Sequence, residues 1–332
     1  MNDSVTQESV GGFKDARLYR QEALSARSYG KALLAEAKAD ERIVCLGADL
    51  TQPTETYLFR DQIPERYFML GIQEANMVGV AAGMARTGQI AFAHSFCVFI
   101  TRRVYDQVAM QAAYPRLPVK LVGFIPGLAT ALGVSHQAID DVALMRALPN
   151  MAVIEPSGPE QIAAAVRATL EYDGPVYLRM VIAGGRADET APLMPLTLGQ
   201  GQILTEGSDV AIIASGMMVK EALGAAKLLA EQGRSATVAN FASLKPLDRD
   251  MVRDLARRHE VLITAENHSV IGGLGSAVAE VLALEGLSPR FGMIGVQDVF
   301  AEGGTTAYLF EKYGLTARHI AEKAIALGDR RP

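Results

Sequence analysis

Cysteine is scarce in this chain: Cys45 and Cys97 are its only two in 332 residues. Two thiols do not make a disulfide framework, and both lie in apolar segments where a reduced core side chain is the plain reading. Basic charge is not in excess either. The 32 Lys and Arg face 37 Asp and Glu, for a net charge of −5, and the cations are scattered, which excludes a nucleic-acid surface. Long apolar runs are missing too. The longest, Leu121–Val134, is cut by Pro126 and by Gly123, Gly127 and Gly133, which is too short and too broken to span a bilayer. The polar stretch Met1–Gly12 has no apolar core of the kind a signal peptide carries, so the expected compartment is the cytoplasm. No short-period repeat occurs.

The chain is, by contrast, rich in apolar residues, at 49% against 21% charged, and its length suggests two domains of ordinary size. Up to about residue 16 it reads as a mobile tail. An Ala-rich helix, Tyr29–Ala39, precedes a buried strand, Arg42–Gly47, and Tyr67–Leu70 is a second strand feeding the helix that starts near Glu74. Further strands are expected at Val119–Gly123, Met151–Ile154 and Pro175–Met180, with helices at Asp140–Leu148 and Pro159–Glu171. Residues 187–201 carry Pro192 and Pro195 with little periodicity and read as a linker. A second α/β pattern follows, with strands at Asp209–Ala214, Ala236–Ala239 and Val261–Thr264 and a helix at Glu221–Gln232. Alternation of this kind implies an α/β fold with two parallel-sheet domains, divided as 17–197 and 198–332. The turn Gly272-Gly273-Leu274-Gly275 opens another helix and is open to two readings: an anion site at a helix N-terminus, or tight helix–strand packing.

The most informative stretch is Gly71–Ala85, in which Glu74 heads a helix made almost entirely of small and apolar residues. A carboxylate in so dry a place is costly unless it is paired. No basic residue lies close by in sequence, so its partner is expected to be a distant residue, another chain or a bound cofactor. A bland alternative is an acid favoured by the dipole of its own helix.

The stretch resembles the cofactor-activating helix of transketolase-like thiamine diphosphate enzymes, and the resemblance covers nearly the whole chain. Ser95-Phe96-Cys97-Val98-Phe99 is similar to the family's aromatic segment beside the pyrimidine ring, and Tyr105-Asp106-Gln107-Val108 takes a form also seen in deoxyxylulose-phosphate synthases. Gly133-Val134-Ser135-His136-Gln137, Arg146–Met151, Glu155-Pro156 and Asp173–Arg179 follow in the family's order, and Glu266-Asn267-His268 with the Gly272–Gly275 turn resembles its C-terminal domain. The resemblance names 17–197 a pyrimidine-binding domain and 198–332 a transketolase C-terminal-like domain. It implies that Glu74 hydrogen-bonds the cofactor's aminopyrimidine, favouring the imino form that removes a proton from the thiazolium. Phe99 would stack on the pyrimidine with Phe96 beside it, Ile72 would line the cofactor, and His136 would polarise a substrate carbonyl or move a proton. For the phenylalanines and His136 the alternative is ordinary core packing.

Family members hold the diphosphate and its Mg²⁺ through a Gly-Asp-Gly segment, which is absent here. The resemblance therefore implies a split enzyme, with diphosphate and metal on an N-terminal subunit and an α₂β₂ assembly. Gly79, Ala81, Ala82, Gly83 and Ala85 would let the Glu74 helix pack closely at the subunit interface.

The substrate loop departs from the family. It is one residue shorter than usual, with Ile125 where a His is expected and Leu132 where an Asp contacts sugar hydroxyls; Ile182 stands where an Arg grips phosphate. Arg186 or Arg102 could supply that charge from a shifted position. Three polar-to-apolar changes favour an unphosphorylated substrate. The expected activity is carboligation: transfer of a two-carbon ketol unit to an aldehyde or ketone. Alternatives are an acyloin-forming enzyme that takes pyruvate, a 2-oxo acid dehydrogenase β-type subunit, or a scaffolding subunit without chemistry.

Overall fold

Alternating strands and helices build two sheets in the computed structural model, which describes residues 28–181 and 196–329. The expected tail, most of the expected linker, and the candidate residues Ile182 and Arg186 lie outside the described residues. In chain order the strands are β1 (Ile43–Gly47), β2 (Tyr67–Met69), β3 (Ile90–Phe96), β4 (Val119–Phe124), β5 (Ala152–Ile154) and β6 (Val176–Met180). They continue as β7 (Gln202–Thr205), β8 (Val210–Ala214), β9 (Ala236–Asn240), β10 (Ser243–Lys245), β11 (Val261–Ser269) and β12 (Arg290–Val296). The first sheet has the order β10-β5-β6-β4-β3-β1-β2, and the second β12-β11-β8-β9-β7. The fold is α/β.

The central strands are buried from end to end, β1, β3, β4 and β6 among them. A strand covered on both faces needs side chains that avoid water on both sides, which is why these segments read as continuous apolar runs. Pairing is parallel throughout except at one edge of each sheet, where β10 runs antiparallel to β5 and β7 antiparallel to β9. Neither antiparallel edge follows from the strand–helix alternation. The first also crosses the expected boundary near 198, since Ser243–Lys245 leaves the second half of the chain to extend the first sheet.

The helix Glu74–Arg86 packs on β3 through Met77, Val78, Ala81, Ala82 and Ala85. Full burial of a side chain such as Met77 is worth about 1.5–3 kcal/mol. Three of the small residues expected at a subunit interface, Ala81, Ala82 and Ala85, are therefore spent inside this chain. Ala75 and Gly83 stay exposed and Gly79 half-buried.

The Gly272–Gly275 turn is resolved by Glu266. Its carboxylate accepts from the backbone N–H groups of Leu274 (2.7 Å) and Gly275 (2.8 Å), so the helix N-terminus is filled by an acid of the same chain. A Cβ on Gly273 would lie 1.9 Å from Glu266 Oε2. Tight packing is the right reading of these glycines.

Candidate active site

From β1 the chain passes outward to β2 and then returns to lay β3 on the other side of β1. At such a reversal the loops leaving the strand ends diverge and open a crevice, the usual ligand position in open parallel sheets. Asp49 follows β1, Ser95 and Phe96 close β3, and Glu74 begins the helix that follows β2.

Glu74 is 2% exposed. Gly71, at φ 76°, turns the chain out of β2, and Glu74 becomes the first residue of the helix behind Gln73. Its partner is a distant residue of the same chain. Arg103 Nη1 donates to Glu74 Oε1 at 3.0 Å and Oε2 at 2.9 Å, and Ser95 Oγ donates to Oε1 at 3.2 Å. Arg103 also lies over Phe99, its guanidinium carbon 3.9 Å from the ring centroid, close enough for a cation–π contact.

Phe96, Phe99 and His136 come together although the sequence separates them. The Phe96 and Phe99 centroids are 6.0 Å apart, and His136 meets them edge-on at 6.0 Å and 5.2 Å respectively. Burial, and then the positive charge of Arg103, hold the His136 pKa below its ordinary value, so the ring is neutral at pH 7. Ser135 Oγ lies 2.9 Å from Nδ1, leaving Nε2 as the nitrogen available to another group.

The remaining candidates lie on turns and loops next to these elements. Ile72 is 70% exposed on the turn before the Glu74 helix, and Leu132 is 47% exposed in the loop leading to His136. Ile125, directly after β4, has a φ of 62°. A β-branched residue in that region is strained by about 1–3 kcal/mol, and such residues gather at functional sites. Arg102 is engaged elsewhere: its Nε and Nη2 form a fork on Asp140 at 2.9 Å and 2.7 Å.

Two residues of the site escape the sequence reading. Arg103 is the cation that faces Glu74, and only the side chains' directions separate it from its neighbour Arg102. Asp49 stands at the end of β1 in left-handed backbone, φ 86°. Partial desolvation and the Glu74 carboxylate raise its pKa, while Arg103 pulls it down, which puts Asp49 within electrostatic reach of the site. The run Gly47-Ala48-Asp49 at a strand end was the available signal.

The grouping suits the pyrimidine half of a thiamine-type cofactor. It brings together a buried carboxylate, aromatic rings and a neutral imidazole, the groups that a flat heteroaromatic ring with polar nitrogens requires. Among the described residues no three of His, Cys, Asp and Glu gather as a metal site, and no helix among them is long and apolar enough to cross a membrane. Cys45 and Cys97 are buried and free.

Comparison with known proteins agrees with this architecture. The family described as "Transketolase, pyrimidine binding domain" matches residues 23–181, and "Transketolase, C-terminal domain" matches 199–320. The chain is 45% identical over 310 residues to the 6-deoxy-6-sulfo-D-fructose transketolase subunit of Clostridium sp. (strain MSTE9), covering 92% of this chain and 94% of that one. It is 40% identical to a putative transketolase C-terminal section from Methanocaldococcus jannaschii, over 90% and 94% of the two chains. A solved structure described as a split gene transketolase, inactive beta4 tetramer, superposes with a TM-score of 0.84 at 44% identity, covering 91% of this chain and 97% of the other. The chain belongs to the transketolase family, of which it carries the pyrimidine-binding and C-terminal domains.

Proposed function

We propose that the chain is the pyrimidine-holding subunit of a thiamine diphosphate-dependent carboligase that moves a two-carbon ketol unit from an unphosphorylated ketose to an aldehyde or ketone. An N-terminal subunit would bring the diphosphate and Mg²⁺ sites, in an α₂β₂ assembly. One observation carries the reading: a 2%-exposed carboxylate, Glu74, linked by Arg103 to the face of Phe99, whose ring the neutral His136 meets edge-on. The absence of a Gly-Asp-Gly segment supports a second subunit. So does the similarity to a split-gene chain whose tetramer of one subunit type is described as inactive. The similarity to a subunit named for a sulfo sugar supports a donor without a 6-phosphate.

Thiamine diphosphate, when bound, supplies a carbon nucleophile able to break and make bonds beside a carbonyl. Glu74 would hold a ring nitrogen of the pyrimidine by a hydrogen bond, and Phe99, backed by Phe96, would fix the ring's plane. Ser95 Oγ, which donates to Glu74 Oε1 at 3.2 Å, would help to fix the orientation of that carboxylate. His136 stays uncharged at pH 7 and can take or give a proton at a substrate oxygen through Nε2.

The test is a carbon–carbon bond-forming assay on this chain assembled with its partner subunit, thiamine diphosphate and Mg²⁺, offering a free ketose, a ketose phosphate and pyruvate. Turnover of the free ketose, falling about 100-fold or more in Glu74→Gln, is the expected result. Turnover of the ketose phosphate alone would overturn the substrate assignment. Turnover of pyruvate with release of CO₂ would replace ketol transfer with 2-oxo acid chemistry. A stable complex inactive on all three would point to a scaffold.

A further inference from the structure

We propose that Arg103 is an internal occupant of the pyrimidine seat, holding it closed until the cofactor's ring displaces it. The inference rests on the assignment of Glu74 and Phe99 as that seat. A guanidinium is flat, stacks on aromatic faces and presents N–H donors in its plane. Arg103 uses all three properties at once: it lies 3.9 Å from the Phe99 centroid and donates to both oxygens of Glu74. An aminopyrimidine asks for the same face and the same carboxylate. Phe96 at 6.0 Å and His136 at 5.2 Å between centroids flank the same ring, and the face on which Arg103 lies cannot hold both groups at once.

The arrangement also has a reason to exist. Without Arg103, the buried Glu74 would keep, among the described residues, the long contact from Ser95 at 3.2 Å, and an underpaired carboxylate in a dry site is costly. Arg103 is free to leave. Its side chain is 45% exposed, and among the described residues its ion pair and its ring contact are to the two groups of the seat, whereas Arg102 is tied down by its fork on Asp140. A seat that is closed part of the time lowers the apparent affinity for its ligand in proportion to the fraction of molecules that are open.

The experiment is calorimetric titration of thiamine diphosphate with Mg²⁺ into the complex of this chain with its partner subunit, for wild type, Arg103→Ala and Arg103→Lys. Arg103→Ala is expected to bind roughly tenfold tighter, the loss of one part-exposed ion pair and one cation–π contact that compete with the ligand. Arg103→Lys, which keeps a charge for Glu74 but not the stacked plane, should fall between the two. Should Arg103→Ala fail to assemble with the partner, Arg103→Gln removes the charge with a smaller change of shape and is read in the same way. Wild-type binding with unchanged or weaker binding in the uncharged variants overturns the inference and leaves the functional assignment standing. No binding by any of the proteins overturns both.

Discussion

At the scale of single residues, the charge of Arg103 reaches His136 as well as Glu74. Burial is the larger cause of the lowered His136 pKa and the Arg103 cation the second. Both act in one direction, since a proton arriving on His136 would lose hydration and meet a positive neighbour. Arg103→Gln is therefore expected to raise the His136 pKa part of the way back toward its ordinary value. Titration of the five histidines by NMR reads this directly, and a value that stays put or falls would show that the guanidinium does not act on the ring. The sign carries over to the rate. Any step that needs neutral His136 keeps its acid limb at lower pH in the wild type than in the variant. Glu74, Phe96, Phe99 and His136 were all legible as candidates, because their types and order resemble a family. Arg103 was not, because it sits 29 residues from Glu74 and beyond a break in the helix at Thr101, whose φ and ψ are −115° and −81°. Contacts made across such a break carry no sequence periodicity.

At the scale of elements, the apolar strands of the first sheet and the Ala-rich helices were readable, since burial on both faces or on one stripe leaves a clear pattern. Segments without that pattern were missed. The helix Arg249–Arg258 is mostly charged, and its buried side is only Val252, Leu255 and Ala256. β11 continues through Glu266, Asn267 and His268, where polarity suggested an end; Glu266 is satisfied by the helix N-terminus at Leu274 and Gly275, and Asn267 and His268 by partners in the other half of the chain. Asn267 shows how. Its Oδ1 accepts from Leu128 N at 2.9 Å, and its Nδ2 donates to Pro126 O at 3.0 Å. That approach requires Gly127, which has a φ of 54° and whose added Cβ would stand 2.1 Å from Asn267 O. Gly127→Ala is expected to cost about 2–4 kcal/mol, from overpacking against backbone and the left-handed conformation together. Gly233→Ala provides the comparison, having a φ of 72° with nothing within 4 Å of the added carbon, and should cost about 1 kcal/mol. Urea unfolding of the two variants measures both values; equal losses would mean that the 126–128 turn can move away from Asn267.

At the scale of the whole molecule, the two sheets are joined by a buried ionic network centred on Arg179 of β6. Its guanidinium donates to Asp141 at 2.7 Å and 3.0 Å and to Glu155 at 2.6 Å, and it reaches Asn267 O in β11 at 3.0 Å. Glu155 in turn accepts from Ser215 Oγ, just beyond β8, at 2.8 Å. Replacing one ion of such a set strands the others in a dry interior, and breaking a buried pair costs about 3–5 kcal/mol. That is the expected loss for Arg179→Met at neutral pH. The pH dependence separates this cause from a simple loss of packing. Burial would push the Asp141 carboxyl up, but the charge and hydrogen bonds of Arg179 hold it below the ordinary carboxylate range. In the wild type this stabilisation is present above the unfolded carboxylate pKa and disappears as the pH falls through the lower, folded value. In Arg179→Met burial loses its main opponent, while His268 and the Tyr177 hydrogen bond still work against it, so the Asp141 pKa rises and acid favours the variant's folded state relative to its neutral-pH value. The stability gap between the two proteins should therefore narrow from pH 7 to pH 5, measured by urea unfolding. A gap that holds constant across that range would mean the loss comes from the missing side-chain volume alone, and the network would then be packing rather than an ionic lock between the sheets.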